Sequence, residues 1–142
     1  GVWSVAAADL PLGDALEPLD PLTPVVRLDG PLPTGERVGD AEAARRLRLG
    51  GAALVAGLQL GIAAAACDLA VAYAKERVQF DRPIGSFQAL KHLMADMLVR
   101  VEVARGACYA AGVTLDDPGV GSPERAVAAA AVTAIYSRRP LA

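Results

Sequence analysis

Two long helical patterns meet at a break in the middle of this chain, and the break restricts how the chain can fold. Asp81, Arg82 and Pro83 mark the break, because proline cannot continue a helix and pushes the residue before it toward extended geometry. Ser86 then offers a side-chain oxygen as the N-cap of the next helix. The sequence therefore predicts a helical hairpin at this point.

Apolar spacing and capping residues predict three helices. The first covers about residues 40–79 and has Asp40 as its N-cap. The second covers about residues 86–113, and the third covers about residues 122–137 with Ser122 as its cap. One apolar seam of the second helix is expected to face the core and comprises Leu90, Met94, Met97, Val101, Ala104 and Cys108.

Residues 49–67 contain no charged side chain, and Gln59 is their one strongly polar residue. A stretch of this length can cross a membrane. However, alanine and glycine dominate it and charged residues flank it closely, which favours a helix buried in a bundle over a membrane span. We expect its glycines to permit the close approach of a neighbouring helix, at a cost of about 1 kcal/mol each to an isolated helix. These glycines are Gly50, Gly51, Gly57 and Gly61.

Composition and spacing exclude several classes of protein. The 142 residues are about one domain, and a formal net charge of −2 without a basic stripe argues against a nucleic-acid-binding surface. Cys67 and Cys108 lie far apart in apolar runs, so we interpret them as reduced core thiols of a cytoplasmic protein. The N-terminus lacks the basic region of a signal peptide. No metal site is predicted, because Asp116 and Asp117 alone are too few ligands for a calcium loop.

The predicted bend brings together groups that bind anions. Unpaired N–H groups at the start of the second helix attract negative charge, and Arg77 supplies a guanidinium with a bidentate fork. Gln88, in the first turn of the second helix, adds an amide. One interpretation is a phosphate or diphosphate clamp walled by Phe80 and Phe87. The other is an ordinary helical corner, with arginine and glutamine on the surface and both phenylalanines filling the bend.

The remaining polar residues of the helices do not form a catalytic set. His92 is the only histidine, and sequence spacing places no serine, cysteine or acid beside it. We interpret it as a residue of the bundle surface, with a contact to the nucleotide as the alternative. Asp96 is interpreted as a local cap or pairing residue. The basic cluster near the start of the first helix is interpreted as a solvated face, with a ligand contact as the alternative, and comprises Arg45, Arg46 and Arg48.

A longer pattern surrounds the bend. From Arg77 to Gln88 the chain carries R-x-Q-F-x-x-P-I-x-x-F-Q, and A-D-M follows at residues 95–97. This pattern resembles the C-terminal helical domain of the acyl-CoA dehydrogenase family, in which R-x-Q-F-G-x-P-I-x-x-F-Q and a later A-D-M are typical. The resemblance is specific over about residues 38–115, and Asp81 replaces the glycine that is usual after the first phenylalanine.

The resemblance implies a cofactor and the residues that contact it. In the family, the arginine, the following Gln-Phe pair and the last glutamine of the pattern touch the FAD of a neighbouring subunit, mostly its ADP half. The expected FAD-binding residues of this chain are therefore Arg77, Gln79, Phe80 and Gln88.

The resemblance also implies a mainly α fold, in which the family's up-and-down C-terminal bundle over residues 40–142 is preceded by a short β segment. Residues 1–39 are then the C-terminal remnant of the family's β middle domain, with residues 25–30 as its last long strand and residues 34–40 as the crossover. The short apolar runs between prolines and glycines in this segment fit strands and turns. Unpartnered strands leave exposed edges, so we expect the segment to need support from another segment or chain.

The activity implied is the α,β-dehydrogenation of an acyl-CoA thioester, in which a carboxylate removes the α-proton while FAD takes the β-hydride. In most family members this glutamate lies beyond the region present here, and in a minority it aligns with Gly51, which cannot act as a base. No catalytic residue is therefore predicted in this chain. The resemblance further implies an acyl-CoA substrate, a homo- or hetero-oligomeric dimer of dimers built through the bundle, and electron-transfer flavoprotein or a similar acceptor.

Three hypotheses follow from these observations. The chain is part of an FAD-dependent acyl-CoA dehydrogenase, or a degenerate subunit that lends its clamp to a catalytic partner. The third hypothesis, from a different class, is a helical interaction partner without bound flavin. The sequence leaves the acyl chain of the substrate open, because most of the substrate pocket lies elsewhere.

Overall fold

The computed structural model describes residues 1–18 and 22–137. The chain forms two compact units, of which the first is Gly1–Arg46 and the second begins at Leu47. The last residues of the predicted bundle, 138–142, lie outside the described part.

The first unit contains four short strands in two antiparallel pairs. Strand β1 (Val2–Ser4) pairs with β4 (Glu36–Gly39), and β2 (Leu12–Leu16) pairs with β3 (Val25–Leu28). The predicted strand at 25–30 is therefore present in a shorter form. The segment 34–40, predicted as a crossover into the helices, is mostly a strand. Its residues Glu36–Gly39 form β4, which pairs with the edge of β1.

The β segment exposes most of its large apolar side chains. Trp3 is 58% exposed and Leu22 is 90% exposed, and the strands β2 and β3 also expose leucine and valine side chains. Two-stranded sheets of this length have little stability of their own in water. This exposure agrees with the expectation that the segment needs support from outside itself.

Helix α1 (Ala41–Glu76) begins as predicted and ends earlier than predicted. The backbone N–H of Ala43 donates to Asp40 Oδ1 at 2.8 Å, which confirms Asp40 as the N-cap. Hydrogen bonding from Arg45 lowers the pKa of Glu42 in the first turn. The predicted end near residue 79 is wrong, because residues 78–83 pair with each other as a ribbon instead of continuing the helix.

Helix α2 (Gln88–Asp116) starts and ends later than predicted. Ser86 is not its N-cap, because Ser86 belongs to a 3-10 turn over Ile84–Ser86. The N–H of Phe87 closes this turn by donating to the Ile84 carbonyl at 3.1 Å. Phe87 occupies the N-cap position with an extended backbone and gives no side-chain hydrogen bond. The first N–H groups of α2 thus have no side-chain cap at this position.

Helix α3 (Pro123–Ser137) follows a short loop, and Ser122 Oγ accepts from the Arg125 N–H at 3.4 Å, as a cap residue does. Small side chains from all three helices form the main core of the second unit, namely Ala56, Ala111, Val127, Ala130 and Ala134. A second cluster joins α1 to α2 and comprises Ala63, Cys67 and Val101. The predicted seam of α2 is confirmed, since its residues are buried or half-buried.

Helix α1 buries only one narrow face among the described residues. It is long and apolar enough to cross a membrane by length and composition, with a mean hydropathy of 1.9 over its most apolar stretch, yet only 17% of that stretch is buried. The prediction of a buried helix is therefore wrong for most of its surface within the described chain. A Cβ built on any of its four glycines has no neighbour within 4 Å, so no described element approaches closely there.

Candidate cofactor-binding site

Three of the four predicted clamp residues lie on a tight β ribbon between α1 and α2, and the fourth, Gln88, begins α2. Strands β5 (Val78–Gln79) and β6 (Arg82–Pro83) are antiparallel, with Gln79 opposite Arg82. The Ile84 N–H donates to the Arg77 carbonyl at 2.8 Å and extends the same register by one pair. Residues directly opposite each other, and residues two apart on one strand, share a face of a ribbon. Arg77, Gln79 and Arg82 therefore share one face.

The turn of the ribbon has an unusual backbone. Phe80 has φ of 54° and Asp81 has φ of 61°, so both central residues lie in the left-handed region. This is the conformation of a type I′ hairpin turn, whose twist matches that of its two strands. The glycine that is usual in place of Asp81 would adopt it without strain. The departure from the family pattern therefore leaves the turn in place and adds strain to it.

Two aromatic rings and one guanidinium meet beside the ribbon. The rings of Phe80 and Phe87 pack edge to face, with centroids 6.1 Å apart and an interplanar angle of 84°. The Arg82 Cζ lies 4.1 Å from the centre of the Phe87 ring. Phe80 is nevertheless 86% exposed. The ordinary corner, in which both phenylalanines fill the bend, is thus not what the structure shows for Phe80.

The cations of the ribbon have no acidic partner among the residues that the structure describes. Arg27, Arg45 and Arg105 pair with nearby carboxylates, whereas neither Arg77 nor Arg82 has an ion pair or a side-chain hydrogen bond within the described ranges. Arg77 and Arg82 are both exposed. An exposed, uncompensated guanidinium beside another is suited to a doubly charged anion.

Gln88, the first residue of α2, is held by a contact that sequence reasoning missed. Its Nε2 lies 3.2 Å from Nε2 of His92, one turn further along the helix, and donates when that ring nitrogen is unprotonated. The signal was available, because residues four apart on a helix are neighbours. His92 therefore orients a predicted site residue, and it is not part of a catalytic set in the described structure.

The four predicted residues do not line the described grooves between the helices of the second unit. One groove of about 530 Å³ lies between α1 and α2, and its walls include Asp68, Lys75 and Met94. None of the four predicted cofactor-binding residues lines it. Those residues are all exposed on the ribbon and at the start of α2. This arrangement suits a ligand that another polypeptide holds in large part.

The model of the family described as acyl-CoA dehydrogenase, C-terminal domain, matches residues 43–138, which is more than half of the chain. This chain belongs to the acyl-CoA dehydrogenase family. The predicted mainly α bundle of the acyl-CoA dehydrogenase C-terminal type is confirmed.

Named acyl-CoA dehydrogenases share parts of this chain. Acyl-CoA dehydrogenase IpdE2 of Mycolicibacterium smegmatis is 59% identical over 58 residues, which are 41% of this chain and 19% of that protein. Acyl-CoA dehydrogenase FadE34 of Mycobacterium tuberculosis is 43% identical over 100 residues, which are 70% of this chain and 13% of that protein. The chain thus spans no more than about a fifth of the length of these curated relatives.

A solved acyl-CoA dehydrogenase shares the fold over most of this chain. The structure of butyryl-CoA dehydrogenase from Megasphaera elsdenii superposes with a TM-score of 0.70 at 29% identity. The superposition covers 93% of this chain and 36% of that one. The described helices therefore have the arrangement of part of a larger enzyme of this family.

The residues at the ribbon fit the ADP half of FAD. That half carries a diphosphate, and the donor set here consists of the guanidinium of Arg77 and the carboxamides of Gln79 and Gln88. Guanidinium and amide N–H groups are the donors that bind phosphate oxygens. The exposed ring of Phe80 adds an apolar surface at the tip of the turn.

Proposed function

We propose that this chain is part or a subunit of an FAD-dependent acyl-CoA dehydrogenase and contributes an ADP-binding clamp across a subunit interface. The observation that supports this most is the uncompensated guanidinium of Arg77 on the same ribbon face as Gln79. Both are exposed, so they can reach a cofactor held by another polypeptide. The family membership of the chain supports FAD as that cofactor.

Each site residue has a distinct role in this proposal. Arg77 would hold the diphosphate with its guanidinium, and the carboxamides of Gln79 and Gln88 would donate to phosphate or ribose oxygens. Phe80 covers an apolar edge of the nucleotide. His92 positions Gln88 by accepting from its amide.

The chemistry of the reaction is supplied from outside this chain. Bound FAD would supply the acceptor for the hydride that leaves the β-carbon of the acyl-CoA thioester. The carboxylate that removes the α-proton belongs to another segment, because the position that aligns with the base of a minority of the family is Gly51. In this proposal the chain binds and orders the cofactor, and Gly51 cannot serve as the base.

The exposed apolar surface of the helices supports an oligomer built through the bundle. Large apolar side chains remain more than half exposed on α1 and α2, among them Leu54, Leu58, Leu69, Val99 and Val103. Such a surface is covered in a soluble protein by further chain or by a partner. A dimer of dimers, homo- or hetero-oligomeric, would cover this surface. We place this oligomer in the cytoplasm. Its electron acceptor is electron-transfer flavoprotein or a similar protein.

A helical interaction partner without flavin is the second candidate function. The same exposed apolar surface favours it, as does the glycine at position 51. It differs from the first candidate in one respect, because a scaffold does not require exposed and unpaired guanidinium groups on a ribbon closed by a strained turn.

The experiment that tests the proposal compares two arginine variants. The chain is co-expressed with the coding sequences that flank it, and the ratio of flavin to protein is measured after purification for Arg77→Ala and for the control Arg125→Ala. Arg125 is an exposed arginine on α3, away from the ribbon. We expect Arg77→Ala to lose most of its flavin and Arg125→Ala to keep it. Equal flavin content in both variants, or no flavin in the parent protein, would overturn the proposal.

A further inference from the structure

We infer that Arg82 is a second guanidinium of the same diphosphate site, held in position by the ring of Phe87. This inference rests on the proposed function. The family pattern assigns Arg77, Gln79, Phe80 and Gln88 to the cofactor, and it leaves the residue at position 82 without a role.

The register of the ribbon places Arg82 with the other site residues. Arg82 lies directly opposite Gln79, and Arg77 is two residues before Gln79 on the other strand. Opposite and alternate positions share a face, and diagonal neighbours across a strand pair are about 7–8 Å apart. Two arginines at that separation can bind adjacent phosphate groups. The two residues that face the other way are Val78 and Pro83.

The contact with Phe87 fixes the guanidinium of Arg82 and leaves its donors free. The Arg82 Cζ lies over the Phe87 ring, 4.1 Å from its centre, so the guanidinium is held there by a cation–π contact. The N–H donors lie at its planar edge and have no acceptor among the described residues. A side chain that is already oriented loses less conformational entropy when it binds a ligand.

The charge of the pair matches the charge of the ligand. A diphosphate diester carries two negative charges, and Arg77 and Arg82 supply two positive charges that no carboxylate in the described chain neutralises. Asp81 lies between them in the turn and forms no ion pair with either. One guanidinium on each phosphate therefore gives a balanced site.

The test measures binding of ADP and adenosine to the apoprotein, with the chain co-expressed with its flanking coding sequences. Variants Arg82→Ala and Arg82→Lys are compared with Arg100→Ala, which removes the guanidinium stacked on Tyr136 at 4.8 Å, away from the ribbon. We expect Arg82→Ala to weaken ADP binding about tenfold and to leave adenosine binding unchanged. Arg82→Lys keeps the charge without the fork and gives a smaller loss. Arg100→Ala binds ADP like the parent.

The outcomes separate this inference from the proposed function. If Arg77→Ala weakens ADP binding and Arg82→Ala does not, the role of Arg82 is overturned and the proposed function stands. If neither variant changes ADP binding, both are overturned. An equal loss of ADP and adenosine binding in Arg82→Ala also overturns the inference, because the residue then acts on something other than the diphosphate. Thermal unfolding of each apoprotein identifies a variant that does not fold. If Arg82→Ala does not fold, ADP binding by Arg82→Lys is the deciding measurement, and parent-like binding by that variant overturns the inference.

Discussion

Phe80 and Phe87 meet edge to face, with ring centroids 6.1 Å apart, although one lies in the turn of the ribbon and the other precedes a helix. The contact joins the tip of the ribbon to the start of α2. Phe87 also carries the guanidinium of Arg82 on its face. One ring therefore connects the turn, the second strand of the ribbon and the helix that bears Gln88.

Replacing Phe87 with leucine should disturb the turn and the nucleotide site together. The variant loses the edge-to-face contact and the cation–π contact, which together contribute about 1–2 kcal/mol beyond simple burial. We expect a lower free energy of unfolding in urea and weaker ADP binding. Tyr109→Leu, at an exposed aromatic residue of α2, is the control and should change neither. Parent-like ADP binding in Phe87→Leu would contradict the proposed role of this ring.

Replacing Asp81 with glycine should stabilise the protein. A φ of 61° at position 81 raises the free energy of the folded state for a residue with a Cβ, whereas glycine adopts this φ without strain. We expect the free energy of unfolding to rise by up to about 1 kcal/mol. Asp81→Asn is the matched control, because it removes the charge and leaves the left-handed backbone. A gain in Asp81→Asn as large as in Asp81→Gly would show that charge, and not backbone strain, is the cause.

A methyl group at position 85 should destabilise the packing of the 3-10 turn on α1. A Cβ on Gly85 would lie 2.9 Å from the Ala74 carbonyl oxygen, so the backbone must shift. We expect Gly85→Ala to lower the free energy of unfolding by about 1–3 kcal/mol. Gly106→Ala is the opposite case, because a Cβ there meets nothing within 4 Å inside α2, and alanine favours helix by about 1 kcal/mol. Denaturant titrations of the two variants should therefore shift in opposite directions.

The thiol of Cys108 should react slowly at neutral and mildly alkaline pH. Burial raises the pKa of this thiol, because desolvation penalises the thiolate. Iodoacetamide labelling followed by peptide mass spectrometry should give a half-maximal rate at a higher pH than for a small free thiol. As the pH rises, the thiol ionises in the unfolded state before it ionises in the folded state. The free energy of unfolding therefore falls between about pH 8.5, the unfolded pKa, and the higher folded pKa. A labelling profile equal to that of the unfolded chain would contradict this.

The break between the two helical patterns shows how far sequence reasoning reaches. Pro83 and the pattern around it predicted a bend, and the bend is there. The sequence did not predict that residues 78–83 pair as a ribbon, because the hairpin signal normally depends on glycine or asparagine in the turn and here the turn residues are Phe80 and Asp81. The N-cap of α2 was predicted wrongly for a similar reason. Serine is a common N-cap residue, but Ser86 lies in a 3-10 turn, and Phe87 holds the N-cap position.

By itself, the sequence determined the helices, their apolar seams and the residues of the family pattern, because these depend on periodicity, capping and side-chain type over short distances. Only the tertiary structure decided that Arg77, Gln79 and Arg82 share one face and that Phe87 holds Arg82 in place. It also decided that most of α1 remains exposed in the described chain. The physical reason is that strand register, ring contacts and burial depend on which segments meet in space, and local propensity does not encode that.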